Sequence, residues 1–165
     1  MNVMVQDLSP ETFAPFGRVH DLGGRDGDPG ATLVQTDGPG WSDRYTATPL
    51  ISTNGSLGLT RAGAAPFEVV RMERHPNTEE ALFCLDGDMI LVTAPAGPAE
   101  RPAASDLRAF RVPVGQAVVL HPGTWHDACR GVDGPVAYYW VATVGTGTDW
   151  RDLDPHPVTI AMDRA

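Results

Sequence analysis

Glu73-Arg74-His75-Pro76, followed by Glu80 and Gly87, is answered further along the chain by His121-Pro122-Gly123-Thr124-Trp125-His126. Imidazoles and carboxylates are the donors that borderline divalent ions accept, and the same groups carry protons near neutral pH. Two such segments, each bounded by glycine and β-forming residues, are what a small barrel needs to converge ligands on one interior pocket. The chain is therefore expected to bind a metal ion, a small acid, or both.

Positioning those residues requires strands. The stretch 67–74 alternates, so Phe67, Val69, Arg71 and Glu73 point one way and Glu68, Val70, Met72 and Arg74 the other. Either Glu73 or Arg74 is thus directed inward where His75 begins a turn. Residues 81–85 and 89–93 are apolar runs joined by Asp86-Gly87-Asp88, an Asp-Gly hairpin signal. Further strands are expected at 56–61, 107–112, 116–120 and 136–144. Ser9 is an N-cap candidate with Pro10 behind it, so one short helical turn should present Phe13 and Phe16 to the core. Segments 21–30 and 36–44 read as loops, 94–102 as a surface loop, and the tail 149–165 as an arm or a segment packed across a partner subunit.

The 18 glycines and 15 prolines in 165 residues favour short strands and turns over long helices, within one domain spanning 1–165. Some seven or eight strands without internal repeat point to an all-β, closed or nearly closed antiparallel barrel or jelly roll. A net charge of -9 argues against nucleic acid and acidic membranes as partners. All twelve basic residues are arginine; lysine Schiff-base and P-loop chemistry are excluded, and no nucleotide or organic cofactor is expected. Neither a signal segment nor an apolar run of membrane-spanning length is present, so a cytoplasmic protein is expected. Cys84 and Cys129 then read as free buried thiols, with Cys129 either facing the pocket or packed as a small hydrophobe. His20 and His156 fall in loop-like contexts and are expected at the surface.

The spacing Glu73-x-His75, four residues, Glu80, six residues, Gly87 resembles the first motif of the cupins, a jelly-roll superfamily, with Glu73 in place of the leading histidine. Pro122-Gly123-Thr124-Trp125-His126, with Gly115 upstream, resembles the second, compressed by one residue. His75, Glu80 and His126 would then surround open positions suited to Ni, Mn, Fe or Zn, with Glu73 or His121 as a fourth ligand. The alternative is a hydrogen-bonded polar network in a metal-free barrel. His121, closing a strand before a turn, either contacts substrate and transfers protons or serves the turn itself.

Glu73-Arg74-His75-Pro76 with Ala81 and Gly87, His121, Trp125-His126, Arg61-Ala62 and the opening Phe13-to-Gly17 segment together resemble the ureidoglycolate lyase family. The resemblance implies cleavage of (S)-ureidoglycolate to glyoxylate and urea in a homodimer, with a divalent ion such as nickel. A base would take the carbinol proton while the urea nitrogen leaves with a proton. His121, His126 and Glu80 are the candidate proton handlers, and the ion or Arg61 or Arg74 would hold the substrate; Trp125 is a further substrate-binding candidate. The chain departs from the family at Leu120, where a tyrosine is usual, at Asp127-Ala128 after His126, and at Ala142-Thr143-Val144-Gly145, where a carboxylate-anchoring arginine is missing. Glu80 stands where glutamine is frequent. A metal-dependent isomerase, hydrolase or decarboxylase acting on another small oxo or hydroxy acid, and a non-catalytic small-ligand binder, are the competing expectations.

Overall fold

Ser9 and Thr12 cap the first turn reciprocally, the Thr12 N–H donating to the Ser9 hydroxyl at 3.2 Å and the Ser9 N–H to the Thr12 hydroxyl at 3.3 Å. The helix Pro10–Phe13 follows as the sequence predicts, and Phe13 and Phe16 are buried. The computed structural model describes residues 1–23 and 33–162. Among them the chain is otherwise almost entirely β.

Two curled sheets pack face to face as a cupin-type jelly roll. The larger runs, in spatial order, Asp149–Asp152, Arg71–Arg74, Trp125–His126, Met89–Ala94, Arg108–Val112, Asn2–Asp7, Val158–Ala161 and Phe67–Val69, with Arg130–Gly131 also paired to Met89–Ala94. The smaller runs Gly17–Asp21, Gln116–Leu120, Glu80–Cys84, Val136–Ala142, Ser56–Ala62. Leu82, Val118, Leu120 and Tyr138 from the smaller sheet meet Leu91, Phe110 and Val112 from the larger one, with Phe13 and Phe16 closing one end. The opposite faces of Ile90, Val92 and Ala94 pack on Met72, Trp125, Val158 and Ile160. Met89–Ala94 is thus buried along its whole length, which is why it reads as a continuous apolar run.

Four expectations are corrected. Residues 81–85 and 89–93 do not form a hairpin: Glu80–Cys84 pairs in the smaller sheet and Met89–Ala94 in the larger, and Gly87 is not among the glycines with positive φ, as a tight Asp-Gly hairpin turn requires. The stretch 67–74 is broken at Val70 into Phe67–Val69 and Arg71–Arg74. The break resets the alternation, so that Val69 and Met72 are both buried. Residues 36–44 belong to a hairpin, Leu33–Gly38 with Trp41–Thr46, its turn completed by Gly40 at φ +81°. The tail is no arm, because Asp149–Asp152 pairs with Arg71–Arg74 and Val158–Ala161 with Asn2–Asp7 and Phe67–Val69. Most of the expected loop 21–30 lies outside the described residues.

Candidate metal centre and pocket

The two motifs meet through sheet register. Glu73 pairs directly opposite His126 on antiparallel strands, which places both side chains on one face. After Arg74 the chain leaves the larger sheet, turns at His75, and enters the smaller one at Glu80. His75 and Glu80 therefore reach the same space from the crossover and from the facing wall. The Gly123 N–H donates to the His75 carbonyl at 2.9 Å, fastening the turn of the second motif to the first.

His126 Nε2 lies 2.9 Å from Glu80 Oε2 and 3.8 Å from Glu73 Oε1. His75 Nε2 lies 3.3 Å from Glu80 Oε2 and 3.8 Å from Glu73 Oε2. Glu80 and His126 are 9% and 4% exposed, yet among the described residues neither Glu80 Oε2 nor His126 Nε2 is aligned as a hydrogen bond. Polar atoms at that depth need partners, and here they find them within the cluster. An ion about 2.1 Å from each donor would hold neighbouring donors roughly 3.0 Å apart in octahedral and 3.4 Å in tetrahedral geometry, close to the two shorter distances of 2.9 and 3.3 Å. Donor atoms of Glu73, His75 and His126 all fall within 4.8 Å of one another.

The far sides of the two rings agree with this. His126 Nδ1 lies 3.1 Å from the Thr124 carbonyl, which only accepts, so the ring proton sits there. His75 Nδ1 lies 3.2 Å from the Thr148 hydroxyl. Nε2 of each ring is left to the cluster, the arrangement that outer partners give to metal-binding histidines. The residues present fit a divalent ion.

Without an ion the cluster is strongly charged. Burial pushes the Glu80 carboxyl up, but His126 and His75 outweigh it and hold the group at about 2. Burial likewise pushes His126 down, and the carboxylates of Glu80 and Glu73 outweigh it and lift the ring to about 9. Glu73 behaves oppositely, because burial raises it more than the two histidines lower it. Asp127 is also raised by burial, against the opposing pull of Arg130 and the Ala128 N–H.

A cavity of about 410 Å³ opens onto the cluster, lined by Thr60, Glu73, His75, Glu80, Tyr138, Trp140 and residues 142–148. Of the residues singled out from sequence, Glu73, His75 and Glu80 line it and His126 backs it. Four others do not reach it. His121 is exposed, and its backbone serves the turn, its N–H donating to the Phe16 carbonyl and its carbonyl accepting from Thr124. Arg61 is exposed, and its neighbour Thr60 lines the cavity instead. Arg74 is held by Asp149 at 3.0 Å and stacks 4.3 Å from the Trp125 ring, which is itself buried in the core. Cys129 and Cys84 are free and buried, packed in the core. His20, expected at the surface, is 4% exposed because it lies in the paired strand Gly17–Asp21, whereas His156 is exposed. Thr60, Tyr138, Trp140 and Thr148 were not legible as site residues; splitting 136–144 by its alternation would have placed Tyr138 and Trp140 together on one face.

A family model described as ureidoglycolate lyase matches residues 1–161. The chain belongs to the ureidoglycolate lyase family. A ureidoglycolate lyase of Pseudomonas fluorescens is 29% identical over 158 residues, covering 89% of this chain and 87% of that one. One of Azotobacter vinelandii is 32% identical over 130 residues, covering 74% and 73%. Among solved structures, a dTDP sugar isomerase of Desulfovibrio desulfuricans G20 matches with a TM-score of 0.44 at 15% identity, over 75% of this chain and 83% of that one. Within the family frame the position usually held by tyrosine is Leu120, buried in the core and paired opposite Glu80. No helix among the described residues is long and apolar enough to cross a membrane.

Proposed function

We propose that this chain cleaves ureidoglycolate into glyoxylate and urea, with Glu73, His75, Glu80 and His126 holding a divalent ion (Ni, Mn, Fe or Zn) at the base of the cavity. The observation that carries the reading is the convergence of two imidazoles and two carboxylates inside a chain of this family, with the buried Glu80 Oε2 and His126 Nε2 turned to each other and to the rest of the cluster. A bound ion would supply Lewis-acid polarisation of the substrate's oxygens and offset the charge of the two carboxylates.

The protein's own groups divide the remaining work. Glu73 lines the cavity, so its carboxylate oxygen not turned to the ion takes the proton of the carbinol O–H as the carbonyl of glyoxylate forms. The C–N bond breaks, its electron pair passes to the urea nitrogen, and the Glu73 carboxyl returns the proton there. No oxidant or reductant is consumed. Trp140 and Ala142 give the cavity an apolar wall.

A second reading is favoured by one observation: among the described residues no arginine lines the cavity, so none of them offers a substrate carboxylate a guanidinium partner there. A metal-dependent reaction on another small oxo or hydroxy acid follows if ureidoglycolate is not turned over. Incubation with racemic ureidoglycolate, with and without added Ni or Mn, separates the two. Metal-dependent glyoxylate release supports the lyase; tight metal uptake with no glyoxylate favours the second reading.

A further inference from the structure

Beside the charged cluster the cavity lining also carries neutral hydroxyls. Tyr138, on Val136–Ala142, is 4% exposed and pairs across the sheet with Thr60, and both line the cavity beside Glu80. The Cys129 N–H donates to the Tyr138 hydroxyl oxygen at 3.3 Å. That contact uses the oxygen as an acceptor, and the Thr60 hydroxyl is its other protein partner; since a hydroxyl both donates and accepts, the Tyr138 hydrogen can turn to a ligand oxygen while Thr60 keeps its contact. Burial, with the nearby Cys129 and Glu80 adding to it, holds the phenol well above its usual range, so the group remains a neutral donor. The lining combines Glu73, His75 and Glu80 with the hydroxyls of Thr60 and Tyr138 and the rings and methyls of Trp140 and Ala142, so a ligand whose charged end meets the carboxylate–imidazole cluster can turn an uncharged oxygen toward Tyr138.

Building on the lyase reading, we propose that Tyr138 donates a hydrogen bond to an uncharged carbonyl oxygen of the ligand, the ureido carbonyl of ureidoglycolate, making this wall the element that selects a small acid with a neutral carbonyl-bearing tail. When the C–N bond breaks, the electron pair arriving on nitrogen is conjugated with that carbonyl. A fixed O–H donor therefore stabilises charge that develops only as the bond breaks.

Tyr138→Phe removes the hydroxyl and keeps the ring. Calorimetry of chelator-treated protein with Ni alone should give the same affinity for wild type and variant, which reports an intact cluster and fold. On the Ni-loaded proteins, glycolate should bind both equally, whereas ureidoacetate, a stable analogue that keeps the ureido carbonyl, should bind the variant about tenfold more weakly. The rate constant for ureidoglycolate should fall on the order of 100-fold. As a measurement on the unmutated ring, 3-fluorotyrosine-labelled wild type should show the buried Tyr138 resonance moving with ureidoacetate and not with glycolate. Equal ureidoacetate affinity in wild type and variant, or a resonance that ureidoacetate does not move, overturns the proposal. Selective loss of ureidoacetate binding in the variant supports it even if wild type forms no glyoxylate, in which case only the lyase reading fails. Absence of ureidoacetate binding to Ni-loaded wild type overturns both.

Discussion

Glu80 and His126 form the charged pair at the centre of the site, and its pH dependence follows from their shifts. His126 is raised from 6.5 to about 9, so its contribution to metal-free stability is complete below 6.5 and lost as pH rises through about 9. Glu80 is lowered from 4.5 to about 2, so its contribution is complete above 4.5 and lost as pH falls toward 2. Thermal unfolding of metal-free protein should therefore show a plateau between pH 4.5 and 6.5 and decline on both sides. His126→Gln should remove the alkaline decline, and an unchanged alkaline limb would mean that the ring is not paired. At the same scale, Thr148→Val removes the hydroxyl that holds His75 Nδ1. It should weaken metal affinity by on the order of tenfold, with recovery in Thr148→Ser, measured by competition with a chelator; equal affinity in all three proteins would show that the contact orients nothing.

The segment Arg71–Arg74 decides which side chains face inward, and Arg74 shows its outward role. Its guanidinium bonds Asp149 and the Gly97 and Ala99 carbonyls and covers Trp125. Arg74→Ala should lower stability by about 1–2 kcal/mol while leaving metal affinity as in wild type, read by denaturant unfolding and metal titration; a loss of metal at unchanged stability would place it in the site. The sequence made the clustered residues legible because motif spacing survives folding: Glu73, His75, Glu80 and His126 converge as their offsets predict. Side-chain direction was less legible. Reading 67–74 as one strand left Glu73 and Arg74 as equal choices, and only the break at Val70 resolves them. The Asp86-Gly87 turn carried a local hairpin signal, but Leu82 and Leu91 found their partners on facing sheets, and burial on both faces outweighed the local preference. Arg61 and His121 illustrate a further limit, since one step along a strand or turn exchanges cavity for solvent.

At the scale of the molecule, an acidic chain of net charge -9 encloses an acidic cluster, and a divalent cation is the natural counter-charge. Adding Ni to a hundredfold excess over its dissociation constant should stabilise the fold by about 2.7 kcal/mol, visible as a rise in unfolding temperature that excess chelator reverses. A homodimer is also proposed, supported by the edge strand Ser56–Ala62, where Leu57 and Leu59 are 66% and 47% exposed. Leu57→Asp with Leu59→Asp should shift the mass seen by light scattering to that of one chain, and an unchanged mass would place the interface elsewhere. The most direct measurement of the whole scheme is the metal stoichiometry of chelator-treated protein after titration with Ni, comparing wild type with His126→Ala. One ion per chain in wild type and none in the variant is expected; no uptake by wild type, or the same stoichiometry in both, contradicts it.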